Sequence, residues 1–212
     1  MDNLKMEAIK KYTQSIMEKD QTGHGMDHIN RVVRLANKIA ESENCNRFIV
    51  IAAAYLHDTV DDKIVSKPEQ AYQQLREFLQ TIDLSIKEID QIFHIIKNLS
   101  FSQELAGTAE ELTIEGQIVQ DADRLDAMGA IGVTRTIYYG GHKGNKIYDP
   151  KIKPRLLRSK TEYREESTVI NHFYEKIILL NGKLNTEHAK EIGIKRQKFL
   201  EEFLNEFLEE WN

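Results

Sequence analysis

The sequence predicts an all-α protein. Proline occurs only at positions 68, 150 and 154, and glycine is sparse outside two patches, so long stretches carry no helix breaker. Those stretches place apolar residues at helical spacing, and strand-like alternation is hardly visible. A hydrophobic content of 41% beside 30% charged residues describes a soluble, globular chain. Its 212 residues suffice to bury a core without disulfides or a structural metal.

The first apolar stripe is Ile29, Val32, Val33, Ala36, Ile39 and Ala40. Residues 47–57 are apolar almost all round, which predicts a central buried helix. Ala71, Leu75, Phe78 and Leu79 form the next stripe, followed by Ile89, Ile92, Phe93 and Ile96. The string "IVQDADRLDAMGAIGV" reads as helix at least to Met128. In "STVINHFYEKIILL", Val169, Ile170, Phe173 and Ile177 share a face. The tail "KRQKFLEEFLNEFLEEW" sets Phe199, Phe203, Leu204, Phe207 and Trp211 at helical spacing.

One segment departs from this pattern. Residues 138–164 hold Gly140, Gly141, Gly144, Pro150 and Pro154, which predicts a long irregular loop. Residues 143–164 carry eight Lys/Arg against two acids, leaving 21 bases and 32 acids elsewhere. Two readings stay open: a solvated basic surface, or an active-site flap that contacts phosphate. Without repeats, low-complexity tracts or a linker, a single domain over residues 1–212 is expected.

A net charge of −5 argues against duplex nucleic acid as a partner, because phosphate binding wants a basic surface. The single cysteine, Cys45, excludes an intrachain disulfide and any Cys-cluster metal site. The N-terminal segment has no apolar core of signal-peptide length, and no apolar run is long enough to span a bilayer. A cytoplasmic protein with no membrane partner is the expectation.

The chemistry-bearing residues border the apolar stripes. His28 opens the first stripe, His57 and Asp58 end the buried helix, and Asp123 lies in "QDADRLDAMGA" among small and apolar residues. Buried charge is costly unless it is paired or bound to a metal. Two imidazoles and two carboxylates delivered from three helices suit a divalent cation such as Mn, Mg, Ni, Co, Fe or Zn. Adjacent residues on a helix point about 100° apart, a spread that His57 and Asp58 can use as two ligands only from the helix end or at a shared metal. Water on such a cation loses its proton near neutral pH and becomes a nucleophile. Taken alone, His28 reads as a core histidine and Asp58 as a helix-end acid.

The order His28, His57–Asp58, Asp123 resembles the signature of the HD-domain metal-dependent phosphohydrolases. The strings "GHGMDHINRV", "AAAYLHDTVDD", "QDADRLDAMGAIG" and "NHFYEKI" resemble the small bacterial branch that includes nucleotide pyrophosphohydrolases. The resemblance covers nearly the whole chain. It implies a single HD-domain helical bundle with metal ligands at His28, His57, Asp58 and Asp123. "HDTVDD" is also similar to the HDxxED motif of guanosine-tetraphosphate hydrolases, whose second acids serve catalysis. Asp61 here is shorter than the glutamate of that motif.

Asp61 and Asp62 follow His57 and Asp58 by four residues each, so a continuing helix would set each acid beside its partner. Carboxylates there suit proton transfer to or from a reacting oxygen, and a solvated turn is the plainer reading. His24, Arg31, His94 and Lys97 are candidate substrate-binding donors for phosphate oxygens. Each alone also reads as a structural or surface group. Asp126 reads equally as a partner of a metal-bound histidine or as a surface acid paired with Arg124 or another base.

The expected function is metal-assisted hydrolysis of a small phosphorylated substrate, a nucleotide. The resemblance implies a nucleoside triphosphate cleaved to monophosphate and pyrophosphate. Nucleoside monophosphatase and guanosine-tetraphosphate hydrolase activities are rivals within the class. A non-catalytic nucleotide-binding sensor is the rival outside it. A helical interaction module would leave the four ligands unexplained, and a two-iron oxidative site would need further histidines such as His24 and His94.

Overall fold

Helix α3 (Arg47–Leu56) forms where the sequence is apolar almost all round, and most of its residues are buried. Asn46 starts it by accepting hydrogen bonds from the N–H groups of Phe48 (3.1 Å) and Ile49 (3.4 Å). Ile49, Val50, Ala52, Ala53, Ala54 and Leu56 are fully buried. The helices packed around it are α1 (Asp2–Met17), α2 (Met26–Ile39) and, beyond α4 (Pro68–Thr81), α5 (Ile86–Asn98). Ser85 and Glu88 form a reciprocal cap at the start of α5, each bonding the other's backbone N–H.

A computed structural model describes residues 2–18, 23, 25–62 and 64–211, without the side chains of Lys160 and Arg164. The elements after α5 are α6 (Phe101–Leu105), α7 (Ile114–Asp126), α8 (Gly129–His142), α9 (Lys160–Arg164), α10 (Val169–His172) and α11 (Glu187–Trp211). α10 continues into a π-helical turn (Phe173–Ile177) and a 3-10 segment (Ile178–Lys183). No strand occurs among the described residues, and the all-α expectation holds. No described helix is long and apolar enough to cross a membrane.

The chain divides into two compact units. The first takes the residues up to Ser100 together with Ala109–Val119; the second takes Phe101–Thr108 and the chain from Gln120 onward. In the second unit α8 packs on α10 and α11. The N-terminus of α11 is closed by Asp121, which is fully buried. Its carboxylate accepts from the N–H and side-chain amide of Asn185 and from the N–H and hydroxyl of Thr186, all at 2.8 Å.

The irregular stretch is shorter than the predicted 138–164. α8 runs through Gly140 and Gly141 to His142, and α9 occupies 160–164. Gly140 is a packing glycine: a Cβ there would lie 2.3 Å from Val169 Cγ2. The helix ends instead around Gly144, whose φ of +73° favours glycine.

Part of this stretch's positive charge is used internally. Lys146 pairs with Asp149 at 3.0 Å. Arg155 forks onto Glu175, with Nε and Nη2 each 3.0 Å from a carboxylate oxygen. The Arg155 N–H and the Ser167 hydroxyl bond the same carboxylate, at 3.0 and 3.1 Å. Burial alone would push the Glu175 carboxyl up, but the Arg155 bonds and charge and the Ser167 bond outweigh it and hold it below its ordinary value. A depressed carboxyl stabilises the fold above the unfolded value, about pH 4.3 for Glu, and that contribution is lost as pH falls through the folded value. The melting-temperature gap between wild type and Glu175→Gln should therefore be constant from pH 7 to about pH 5 and shrink below it. A gap that widens on acidification would contradict this pairing.

Candidate metal centre

α3 stops at Leu56, and His57 caps it with φ −57° and ψ −35°. Thr59, fully buried, closes this end: its N–H (3.0 Å) and its hydroxyl (2.8 Å) both donate to the Leu56 carbonyl. A helix C-terminus is partially negative, so it favours a cation beside it and disfavours a lone carboxylate.

The His57 Nδ1–H donates to the Ala54 carbonyl at 2.9 Å, so the neutral ring keeps its lone pair on Nε2. That nitrogen lies 3.3 Å from Nε2 of His28, which sits on the first turn of α2 and is 1% exposed. Oδ2 of Asp58 is 3.3 Å from each of them. The two rings meet edge to face, with centroids 5.3 Å apart.

Three electron-pair donors at the corners of an equilateral triangle repel one another unless a proton or cation lies among them. The centre of a triangle with 3.3 Å sides is about 1.9 Å from each corner. Metal–nitrogen and metal–oxygen bonds run about 2.0–2.2 Å, so a triangle of this size is of the right scale for its three atoms to hold a divalent ion. His28, His57 and Asp58 thus fit a metal, and an imidazole–carboxylate set suits several divalent ions.

The other predicted site residues are distributed as follows. Asp123 lies half-buried on α7, in the part of that helix belonging to the second unit. Asp61 is half-buried and Asp62 exposed. Because the helix ends at Leu56 and turns through Thr59, the one-turn spacing that a continuous helix would impose on these acids does not apply. His24 lies outside the described residues. Arg31, one turn beyond His28 on α2, donates to Asp27 at 2.7 Å.

His94 and Lys97 both lie on α5. The His94 Nε2 faces the Glu111 carbonyl at 2.9 Å, and Nδ1 faces Glu110 at 3.3 Å. His94 borders a shallow cleft of about 580 Å³ together with Lys87, Asp90, Gln91 and Thr113. The Lys97 ammonium rests over Tyr72 and Phe93, 5.4 and 5.7 Å from the ring centroids.

Three features escaped the sequence reading. Thr59 looked like part of a solvated turn, yet it closes the helix end that presents His57 and Asp58. Tyr72 is a neighbour of Asp61: burial, and secondarily the Asp61 charge, push its phenol up. Asp121, two residues before Asp123, is the buried carboxylate of "QDADRLD" that caps α11. Asp126 is corrected in part: it is 1% exposed and pairs with Arg135 at 3.0 Å, so it is not a surface acid. Only its three-residue spacing from Asp123 hinted at an inward face.

An HD domain model matches residues 25–128, which contain His28, His57, Asp58 and Asp123. An HD-superfamily hydrolase from Bacillus thuringiensis has a crystal structure 37% identical to this chain, with a TM-score of 0.77. The alignment covers 100% of this chain and 99% of that one. The chain belongs to the HD superfamily.

A crystal structure from Lactobacillus plantarum is 42% identical with a TM-score of 0.91, covering 98% of this chain and 97% of that one. The uncharacterized protein YpgQ of Bacillus subtilis is 33% identical over 200 residues, 94% of this chain and 90% of the relative. A crystal structure of YpgQ in complex with ADP has a TM-score of 0.78 at 30% identity, covering 99% of this chain and 96% of that one. The chain is thus an HD-superfamily hydrolase of the YpgQ-like bacterial branch, with a His–His–Asp group suited to a divalent metal.

Proposed function

We propose that this HD hydrolase is a metal-dependent phosphohydrolase of nucleotides, cleaving nucleoside triphosphate to monophosphate and pyrophosphate. The convergence of His28, His57 and Asp58 within 3.3 Å of one another carries the metal part of this reading. The ADP bound by YpgQ supports a nucleotide as the ligand class. Asp123, inside the matched span, is the proposed fourth ligand.

A divalent cation held there supplies Lewis-acid polarisation of a phosphoryl oxygen and acidifies water. His57, its tautomer set by the Ala54 carbonyl, and His28 would hold it through ring nitrogens, while Asp58 would offset part of the positive charge. Asp62, exposed just past the helix end, takes the proton from the attacking water in this proposal, and Asp61 supports it. Lys97, braced on two aromatic rings, and Arg31 are the proposed donors to phosphate oxygens. Attack of water at the α-phosphorus, with pyrophosphate as the leaving group, gives monophosphate and pyrophosphate; attack at the γ-phosphorus, with the diphosphate leaving, gives orthophosphate.

The test is metal-replete protein against a nucleotide panel, with pyrophosphate and orthophosphate measured separately. Nucleoside triphosphates should yield pyrophosphate, and no turnover with Mn, Mg, Co or Ni would sink the proposal. Asp62→Ala should keep the metal and lose about 10²- to 10⁴-fold in rate, the usual worth of a general base. Metal loss in that variant would make Asp62 a ligand instead.

A further inference from the structure

The second unit gathers two lysines around one phenylalanine. The Lys176 ammonium lies 5.2 Å from the ring centroids of both Phe101 and Tyr163, and donates to the Tyr163 hydroxyl at 3.0 Å. The Lys183 ammonium is 5.9 Å from the same Phe101 ring. Phe101 and Tyr163 meet edge to face at 5.6 Å.

The charges in this cluster are unequally balanced. Glu104 pairs with Lys183 and also holds Arg124 at 2.8 Å. Arg124 feels Asp121 and Asp123 as well, and the Asp121 carboxylate already binds the start of α11. Lys176 pairs with no carboxylate among the described residues, and its hydrogen bond goes to a neutral phenol. An ammonium has three N–H donors. A half-buried cation whose hydrogen bond goes to a neutral acceptor is completed best by an anion.

The backbone is arranged to keep Lys176 there. It sits in the π-helical turn Phe173–Ile177, a rare conformation concentrated at functional sites. Neighbouring Glu175 is buried against Arg155, while Lys176 lies over the two rings. Aromatic walls exclude water and strengthen a cation's attraction for an anion.

We infer that Lys176, with Phe101 and Tyr163 as walls, is a binding site for phosphate oxygens of a polyphosphate. A point-charge ammonium suits an oxygen of such a compact, multiply charged oxyanion. The choice of a polyphosphate as the anion rests on the nucleotide reading above; the site itself does not require turnover.

Inorganic pyrophosphate is the probe, titrated calorimetrically into chelator-treated full-length protein. Wild type should bind it, with affinity falling as KCl rises. Lys176→Met should weaken binding about tenfold or more, as expected for one charge-assisted hydrogen bond, and Lys176→Arg should restore most of it. Acetic anhydride labelling of wild type supplies a readout free of folding effects. Pyrophosphate should suppress acetylation of Lys176 while leaving exposed Lys198 unchanged. Absence of binding by wild type, equal affinity in Lys176→Met, or unchanged Lys176 labelling would each overturn the site. Lys176-dependent binding in a protein that hydrolyses no nucleotide would support this site and sink the proposed activity alone.

Discussion

Asp58→Ala is expected to release the divalent metal and to cut nucleotide hydrolysis by about a thousandfold or more, the scale set by loss of a preorganised electrostatic group. Asp58 supplies the negative charge of the triangle, and its Oδ2 stands 3.3 Å from both imidazole nitrogens. Without it, the triangle keeps only its two ring nitrogens, 3.3 Å apart, and the proposed fourth ligand Asp123 would be the one remaining carboxylate. The Asp58 side chain is 15% exposed and lies beyond the end of α3, so its truncation should leave helicity, and the melting temperature of the metal-free protein, nearly unchanged. Asp58→Asn keeps the shape and removes the charge, and should fall between wild type and alanine. The measurements are metal content after gel filtration and pyrophosphate release. Stoichiometric metal in Asp58→Ala would show that this carboxylate is not a ligand.

The second large effect is on stability. Asp121→Ala should destabilise the protein by about 3–5 kcal/mol, the cost of breaking a buried, charge-assisted network from one side. For a chain of this length that is about 10 °C or more in melting temperature. The alanine would leave the donors of Asn185 and Thr186, all within 2.8 Å of the carboxylate, facing a void. It would also remove a negative charge from the N-terminus of a 25-residue helix, where the dipole favours one. Thermal unfolding followed by circular dichroism reads the effect. A shift below about 2 °C, worth about 1 kcal/mol or less, would show that water or other acceptors replace the carboxylate. Asp121→Asn should lose less, because it keeps an acceptor oxygen.

The helices were legible because each obeys local rules. α3 is apolar almost all round and is introduced by Asn46; α5 opens with Ser85 and Glu88 at capping-box spacing. Such signals act within a few residues of chain and survive translation into structure. The ends were harder to read. Gly140 and Gly141 have the composition of a turn, but a contact with Val169 places Gly140 inside a helix. A glycine serves a turn and a close approach equally well, and only the neighbour decides which.

The acids show the same division. In "HDTVDD" the four-residue echo invites a continuous helix, yet Thr59 takes the Leu56 carbonyl twice and ends it. In "QDADRLD", three carboxylates of one helix have different surroundings. Asp121 binds backbone donors 64 and 65 residues away, Asp126 pairs with Arg135, and Asp123 stays half-buried. No spacing rule separates them, because their partners are distant in sequence.

By itself the sequence determined the all-α architecture, the buried helix that ends in His57 and Asp58, and the chemical types of donor set beside it. Periodicity and local capping are properties of neighbouring residues, so they can be read from a string. The tertiary structure alone decided that His28, 29 residues earlier, meets His57 and Asp58 at 3.3 Å, and that Lys176 rests over Phe101 and Tyr163. Those distances follow from how helices pack, which no local stretch of sequence records.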